Sequence, residues 1–182
     1  MRKLCRDPPP VCELEALLES YKGDTHHVDQ VFPNLFLGDV IIANDKKKLK
    51  KMAITHVLNA AHASWECTGE NVDYGPDIHY YGITAEDCPE FNISVYLRPA
   101  AQFIHKALTT PNGRILVHCV LGKSRSATLV LAYLMIYQNF TLENAIHHVS
   151  QYRCIAPNRG FLLQLQQLEL ELHYSLWRCL LL

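Results

Sequence analysis

The segment that carries the most chemistry is His118-Cys119-Val120-Leu121-Gly122-Lys123-Ser124-Arg125-Ser126. It follows a short apolar run, Arg114 to His118 (RILVH), that reads as a buried strand. It leads into an apolar stretch, Ser124 to Tyr137, that reads as a helix. A loop that runs into a helix turns several backbone N–H groups inward, and the helix dipole adds positive potential there. Such a nest suits a tetrahedral dianion. Val120, Leu121, Gly122, Lys123 and Ser124 are therefore expected to bind phosphate, with Gly122 allowing backbone dihedrals that a side chain would hinder. Arg125 offers two parallel hydrogen bonds to phosphate oxygens, which a lysine would not reproduce. Cys119 opens the loop and is expected beneath the bound phosphorus, where surroundings of this kind favour a thiolate at neutral pH. That thiolate would attack phosphorus, and water would hydrolyse the resulting cysteinyl-phosphate. Ser126 is placed to donate a hydrogen bond to the departing sulfur, and His118 to orient the loop from below. Gly122-Lys123-Ser124 also resembles the end of a nucleotide-binding loop, but that motif needs a glycine where this chain has Val117.

Ester cleavage also needs a proton for the leaving oxygen, and the same carboxylate can later deprotonate the attacking water. A loop without periodicity, Thr84 to Phe91, carries Glu86, Asp87 and Glu90. Spacing alone leaves all three open.

The elements that position these residues can be read along the chain. A helix is expected over Val11 to Ser20. Two extended pieces over Val31 to Gly38 turn at Pro33-Asn34. A helical stretch covers Asp39 to Met52, with Asp45 capping its last part. Strands are expected over Ile54 to Asn59 and Ile78 to Ile83, with a loop between them. Helices follow over Ile93 to Leu108 (despite Pro99), Thr141 to Tyr152 with Thr141 as N-cap, and Gly160 to Leu172. Strands alternating with helices predict a single α/β domain around a mostly parallel sheet of about five strands.

The totals agree with one soluble globular domain. The chain has 182 residues, 49% apolar and 19% charged, with a net charge of −1. That balance gives no sign of nucleic-acid binding, so an anion site must be local. The longest apolar stretch, Ala127 to Tyr137, is too short to cross a bilayer, and Met1 to Pro10 lacks the apolar core of a signal peptide. Seven cysteines form no CxxC pair and no zinc-finger spacing. Free thiols point to a reducing compartment, the cytoplasm, with the nucleus as a second location. His26-His27 and His147-His148 lack a third ligand at metal spacing, so no metal is expected. Lys46, Lys47, Lys48, Lys50 and Lys51 read as a solvated helix face, with docking of an acidic partner as the alternative. Cys179-Leu180-Leu181-Leu182 matches a prenylation pattern without an upstream polybasic segment, and membrane attachment is expected only if Cys179 is modified. Extension of the last helix is the competing reading of this tail.

His-Cys-x-x-Gly-x-x-Arg-Ser at 118–126 resembles the signature loop of the cysteine-based protein tyrosine phosphatases. Ala127 to Met135 (ATLVLAYLM) and Pro157-Asn158-Arg159-Gly160-Phe161 are similar to the dual-specificity branch. VFPNLFLGD (31–39), ITHVLNAAH (54–62) and YYGITAEDCPEFNISVY (80–96) resemble its atypical members, and among them the testis- and skeletal-muscle-type dual specificity phosphatase 13 group. The resemblance spans residues 11–172, so 1–10 is expected as a flexible arm and 173–182 as a tail. It leaves no room for an amino-terminal kinase-docking domain. It implies Asp87, the Asp of D-x-x-x-F, as general acid, and Asn158 as a support for the phosphate loop or the water. Asn59 is either a further support or an ordinary strand-end residue, and Cys88 reads as incidental. The implied activity is hydrolysis of phosphotyrosine and phosphoserine or phosphothreonine in proteins, in a shallow pocket and without a cofactor. Phosphorylated proteins are the implied partners, protein kinases among them. The alternatives are a catalytically weak scaffold that binds phosphoproteins or kinases, or a phosphatase acting on a non-protein phosphate.

Overall fold

The computed structural model describes residues 8–62 and 74–180, the last six of these by their backbone alone. The elements are α1 (Val11–Ser20), β1 (Val28–Phe32), β2 (Leu35–Gly38), α2 (Val40–Asn44), α3 (Lys46–Lys51), β3 (His56–Asn59), β4 (His79–Gly82), α4 (Ser94–Thr109), β5 (Ile115–His118), α5 (Arg125–Gln138), α6 (Leu142–Ser150) and α7 (Arg159–Leu180). Five strands form one sheet in the order β1-β2-β5-β3-β4. β1 pairs antiparallel with β2, and every other pairing is parallel. The expected sheet is the observed one.

The strand sequences explain why both faces are covered. Ile115 and Val117 of β5 pack into the large cluster on one face, and Leu116 between them packs into a smaller cluster on the other. The same alternation puts Leu35 and Leu37 on the first face and Phe36 on the second. A parallel strand buried on both faces reads as a continuous apolar run, which is what RILVH is. The large face is closed by α1, α4, α5, α6 and α7, and the small one by α2 and α3.

α5 is buried all round from Arg125 to Met135. A helix without a polar face is a core helix, so its first turn, which follows the signature loop directly, is held rigidly. Truncating one of its leucines, such as Leu129, would cost about 2–5 kcal/mol.

Local chemistry sets the helix ends. Asp39 Oδ1 accepts from Ile41 N (2.9 Å) and Ile42 N (3.0 Å), which starts α2. Asp45 then both ends α2 and caps α3, accepting from Lys48 N at 2.9 Å. The stretch expected as one helix is therefore two short ones that break at Asp45. The five lysines of α3 are exposed and Leu49 is fully buried. Thr141 caps α6 through Asn144 N.

Two boundaries differ from expectation by more than two residues. β1 begins at Val28 rather than Val31, because its polar residues Asp29 and Gln30 hide an edge strand from an apolar pattern. α7 runs to Leu180, past Leu172, since no Gly or Pro follows Gly160 to stop it. The 172/173 boundary thus falls inside one helix. The Cys179 side chain, Leu181 and Leu182 lie outside the described residues, as do Met1 to Asp7 of the arm. Within the arm, Pro9 O accepts a hydrogen bond from Gln166 Nε2 on α7. No helix among the described residues is long and apolar enough to cross a membrane.

Candidate active site

β5 ends at His118 in the middle of the sheet, and α5 starts at Arg125. The six residues between them must reverse the chain at the carboxyl ends of the strands, where ligands bind in open α/β sheets. How the loop does so is visible in its carbonyl groups. His118 Nδ1 lies 3.3 Å from Cys119 O. Val120 O accepts from Val40 N (3.0 Å), and Lys123 O from Ala156 N (2.8 Å). Leu121 O and Gly122 O accept from Arg153 Nη2 (3.0 Å) and Nε (2.8 Å). Ser124 O accepts from both Thr128 N and Thr128 Oγ1 at 2.9 Å. Every carbonyl from Cys119 to Ser124 is thus engaged by the surrounding protein, which leaves the amides free to converge on an anion.

Gly122 shows how tight this arrangement is. Its φ is +67°, and a Cβ there would lie 2.3 Å from Gly38 O and 2.6 Å from Arg153 Nη2. Only glycine fits both the dihedral and the space.

Cys119 is 2% exposed. Gly122 N and Ser126 Oγ both donate to its Sγ at 3.2 Å. Two donors aimed at one sulfur form a setting in which negative charge on that sulfur is accommodated. His118, at the base of the loop, is also 2% exposed, and its Nε2 has no hydrogen-bond partner among the described residues. Burial pushes its pKa from 6.5 down to about 4, against the opposing hydrogen bond to Cys119 O and the charge of Asp39. The imidazole is neutral at pH 7.

Of the three carboxylates that spacing left open, the structure brings Asp87 to the loop. Ser124 Oγ donates to Asp87 Oδ1 at 2.6 Å, and Asn158 Nδ2 donates to the same oxygen at 3.0 Å. Arg125 Nε stands 3.5 Å from Asp87 Oδ2, an ion-pair distance, while Arg125 Nη1 donates to Ala85 O at 3.2 Å. Glu86 and Glu90 are exposed and make no such contact among the described residues. Asn158 also accepts from Phe161 N through its side chain, so one residue starts α7 and touches the acidic loop.

The acidic loop is fixed from its far side too. A Cβ on Gly160 would lie 1.9 Å from Pro89 O, so the loop backbone rests directly on the first turn of α7. Gln164 Nε2 donates to Phe91 O (2.9 Å), and Gln164 Oε1 accepts from Ser94 N (2.8 Å). Asn59 turns away from the signature loop: it accepts from Ala61 N and donates to Tyr80 OH.

Sequence reasoning missed Arg153, Gly160 and Gln164. Arg153 is 1% exposed, and besides its two loop carbonyls it bonds His26 O (2.6 Å) and the Asp29 carboxylate (2.7 Å). A lone arginine after α6 carries no spacing signal. The nearest hint was the polar Asp29 on a strand edge. The histidine pairs are held by ordinary partners, His27 by Asp39, His26 by Asp29, His147 by Tyr21 and His148 by Val31 O. Among the described residues no three His, Cys, Asp or Glu gather as a metal site.

Residues 35–171 match the family described as dual specificity phosphatase, catalytic domain. Dual specificity protein phosphatase 26 of Rattus norvegicus is 52% identical over 166 residues, covering 91% of this chain and 78% of that protein. The Homo sapiens protein of the same name is 51% identical over the same shares. The crystal structure of human DUSP28 has a TM-score of 0.72 at 28% identity, covering 84% of this chain and 99% of that one. A mouse dual specificity phosphatase complexed with zinc tungstate has a TM-score of 0.73 at 28% identity, covering 85% and 93%. These relatives support the atypical dual-specificity branch, and they give no support to the narrower likeness to the phosphatase 13 group. The signature loop, the sheet that carries it and the extent of these matches agree, and the chain belongs to the dual specificity phosphatase family.

Proposed function

We propose that this phosphatase cleaves phosphotyrosine and phosphoserine or phosphothreonine in proteins through a cysteinyl-phosphate on Cys119. The observation that carries the reading is the loop whose carbonyls from Cys119 to Ser124 all have partners outside it, around a sulfur that accepts two hydrogen bonds. The amides of Val120, Leu121, Gly122, Lys123 and Ser124, with the Arg125 guanidinium, bind the three non-bridging oxygens of the phosphoryl group. The Cys119 thiolate attacks phosphorus in line with the ester oxygen. The S–P bond forms as the P–O bond breaks, and Asp87 gives its proton to the leaving oxygen. Water then attacks the cysteinyl-phosphate and loses its proton to the Asp87 carboxylate. Ser126 Oγ donates to Sγ as the S–P bond breaks and the thiolate returns. His118 and Asn158 hold the loop and the acid in place.

The similarity to dual specificity protein phosphatases supports both kinds of phosphoresidue. Protein kinases are the finer expectation among the substrates. A thiolate mechanism requires a reduced Cys119, which favours the cytoplasm and the nucleus.

Turnover of an aryl phosphate by wild type, Cys119→Ser and Asp87→Ala tests this reading, with phosphopeptides and phosphoinositides as parallel substrates. The expected result is turnover by wild type, none by Cys119→Ser, and loss of the basic limb of the pH profile in Asp87→Ala. Preference for phosphoinositides over every phosphopeptide would replace the substrate class. An inert, reduced wild type that still captures phosphoproteins would replace the enzyme with a scaffold.

A further inference from the structure

We infer that Arg153 is a positioning residue for phosphate binding, which sets the inward direction of the loop amides from outside the pocket. The inference rests on residues 119–125 being the phosphate loop. Among the carbonyls of that loop, those of Val120, Lys123 and Ser124 are held by backbone amides, which only a substitution to proline removes. Leu121 O and Gly122 O, consecutive and at the tip, are held by one guanidinium.

A peptide group turns as a unit. Fixing Leu121 O outward points Gly122 N inward, and Gly122 N is the amide that donates to Cys119 Sγ at 3.2 Å. Fixing Gly122 O outward turns Lys123 N in the same way. Gly122, at φ +67°, is also the residue of the loop with the greatest freedom to let these two peptides rotate. The clamp therefore acts where the loop is least determined by itself.

The guanidinium is positioned in turn. Asp29 Oδ2 and His26 O share Nη1, and the side chain of Arg153 is fully buried. Asp29 sits on the edge strand β1, so the strand farthest from the acidic loop is tied to the tip of the phosphate loop. Arg153 approaches carbonyl oxygens and touches no reacting atom. It differs in this from Arg125, whose guanidinium faces Asp87 and Ala85 O of the acidic loop.

The test compares Arg153→Gln, Arg153→Lys and Asp29→Asn with wild type, all full-length and reduced. Three readouts are taken well below each melting temperature: inhibition by inorganic phosphate, KM and kcat for an aryl phosphate, and the rate of Cys119 alkylation by iodoacetamide at neutral pH. For Arg153→Gln, weaker phosphate inhibition and a higher KM, each by about tenfold or more, are expected from the lost alignment of two donors. Alkylation of Cys119 slows in the same variant. Arg153→Lys, which can hold one carbonyl, falls between, and it carries the test if Arg153→Gln does not fold. Asp29→Asn loses an ion pair yet keeps both carbonyl bonds, so it lowers the melting temperature and changes the three readouts by less than about threefold. Folded Arg153 variants with all three readouts within threefold of wild type would overturn the inference and leave the proposed chemistry standing. A wild type that neither binds phosphate nor turns over substrate would overturn both.

Discussion

The two loops that meet at this site are built in different ways. The loop at 119–124 is short, lies between a central strand and a core helix, and has all its carbonyls engaged. The acidic loop at 84–93 precedes α4, and its shape comes from what it rests on. Ser124 and Asn158 hold its carboxylate, Gly160 receives Pro89, and Gln164 bonds Phe91 O and Ser94 N. The first loop is bracketed by β5 and α5 and held at its carbonyls by Val40, Arg153 and Ala156, while the second rests mainly on α7, far along the chain. It follows that phosphate binding and proton transfer can be damaged separately.

The largest separation is expected from the first loop. Cys119→Ser removes the nucleophile and lowers kcat on the order of 10⁵-fold or more, while inorganic phosphate still binds in an equilibrium titration. Arg125→Lys keeps the charge and loses the paired hydrogen bonds, so kcat/KM for an aryl phosphate falls about 10²–10³-fold.

The second loop should give the complementary result. Asp87→Asn lowers kcat about 10²-fold or more. Gly160→Val is the sharper test, because it changes nothing chemical. Its side chain displaces Pro89, and Asp87 with it, so kcat falls by about tenfold or more. Phosphate inhibition stays within about twofold of wild type. Equal loss of kcat and phosphate binding in Gly160→Val would show that the loops are one unit.

The smallest predicted effect is on stability against pH. His118 is charged in the unfolded chain below its ordinary pKa of 6.5, and in the folded protein only near 4. The unfolded state therefore takes up the proton first. Its contribution to stability is full above about pH 7 and is lost as pH falls from 6.5 toward 4, by up to about 3 kcal/mol. Urea unfolding across that window should show a shallower decline in His118→Asn. Gly160→Val should keep the wild-type slope, because the acidic loop adds no buried histidine.

The same contrast explains what could be read from the sequence. Cys119 to Ser126 was legible because strand, loop and helix are contiguous and each residue type has one reason to be there. The strand β5 and the helix α5 were equally plain, being apolar on all sides. Asp87 could not be chosen over Glu86 and Glu90 by spacing, since its partners Ser124 and Asn158 are distant in sequence. Only the family pattern singled it out. Arg153 left no trace, because a buried arginine and an exposed one look alike in sequence. The end of α7 falls beyond Leu172 for a simpler reason: the family resemblance stops there, but the run that follows contains no Gly or Pro to end the helix, and extension of the last helix is the reading that holds.

The most direct test of the central claim is chemical quench of the reduced enzyme during turnover of an aryl phosphate, followed by mass spectrometry of its peptides. The account predicts one phosphoryl group, held as an S–P ester that survives alkali and hydrolyses in mild acid, on the peptide that contains Cys119. It should disappear in Cys119→Ser. Turnover with the label on another residue, or undiminished turnover by Cys119→Ser, would contradict it.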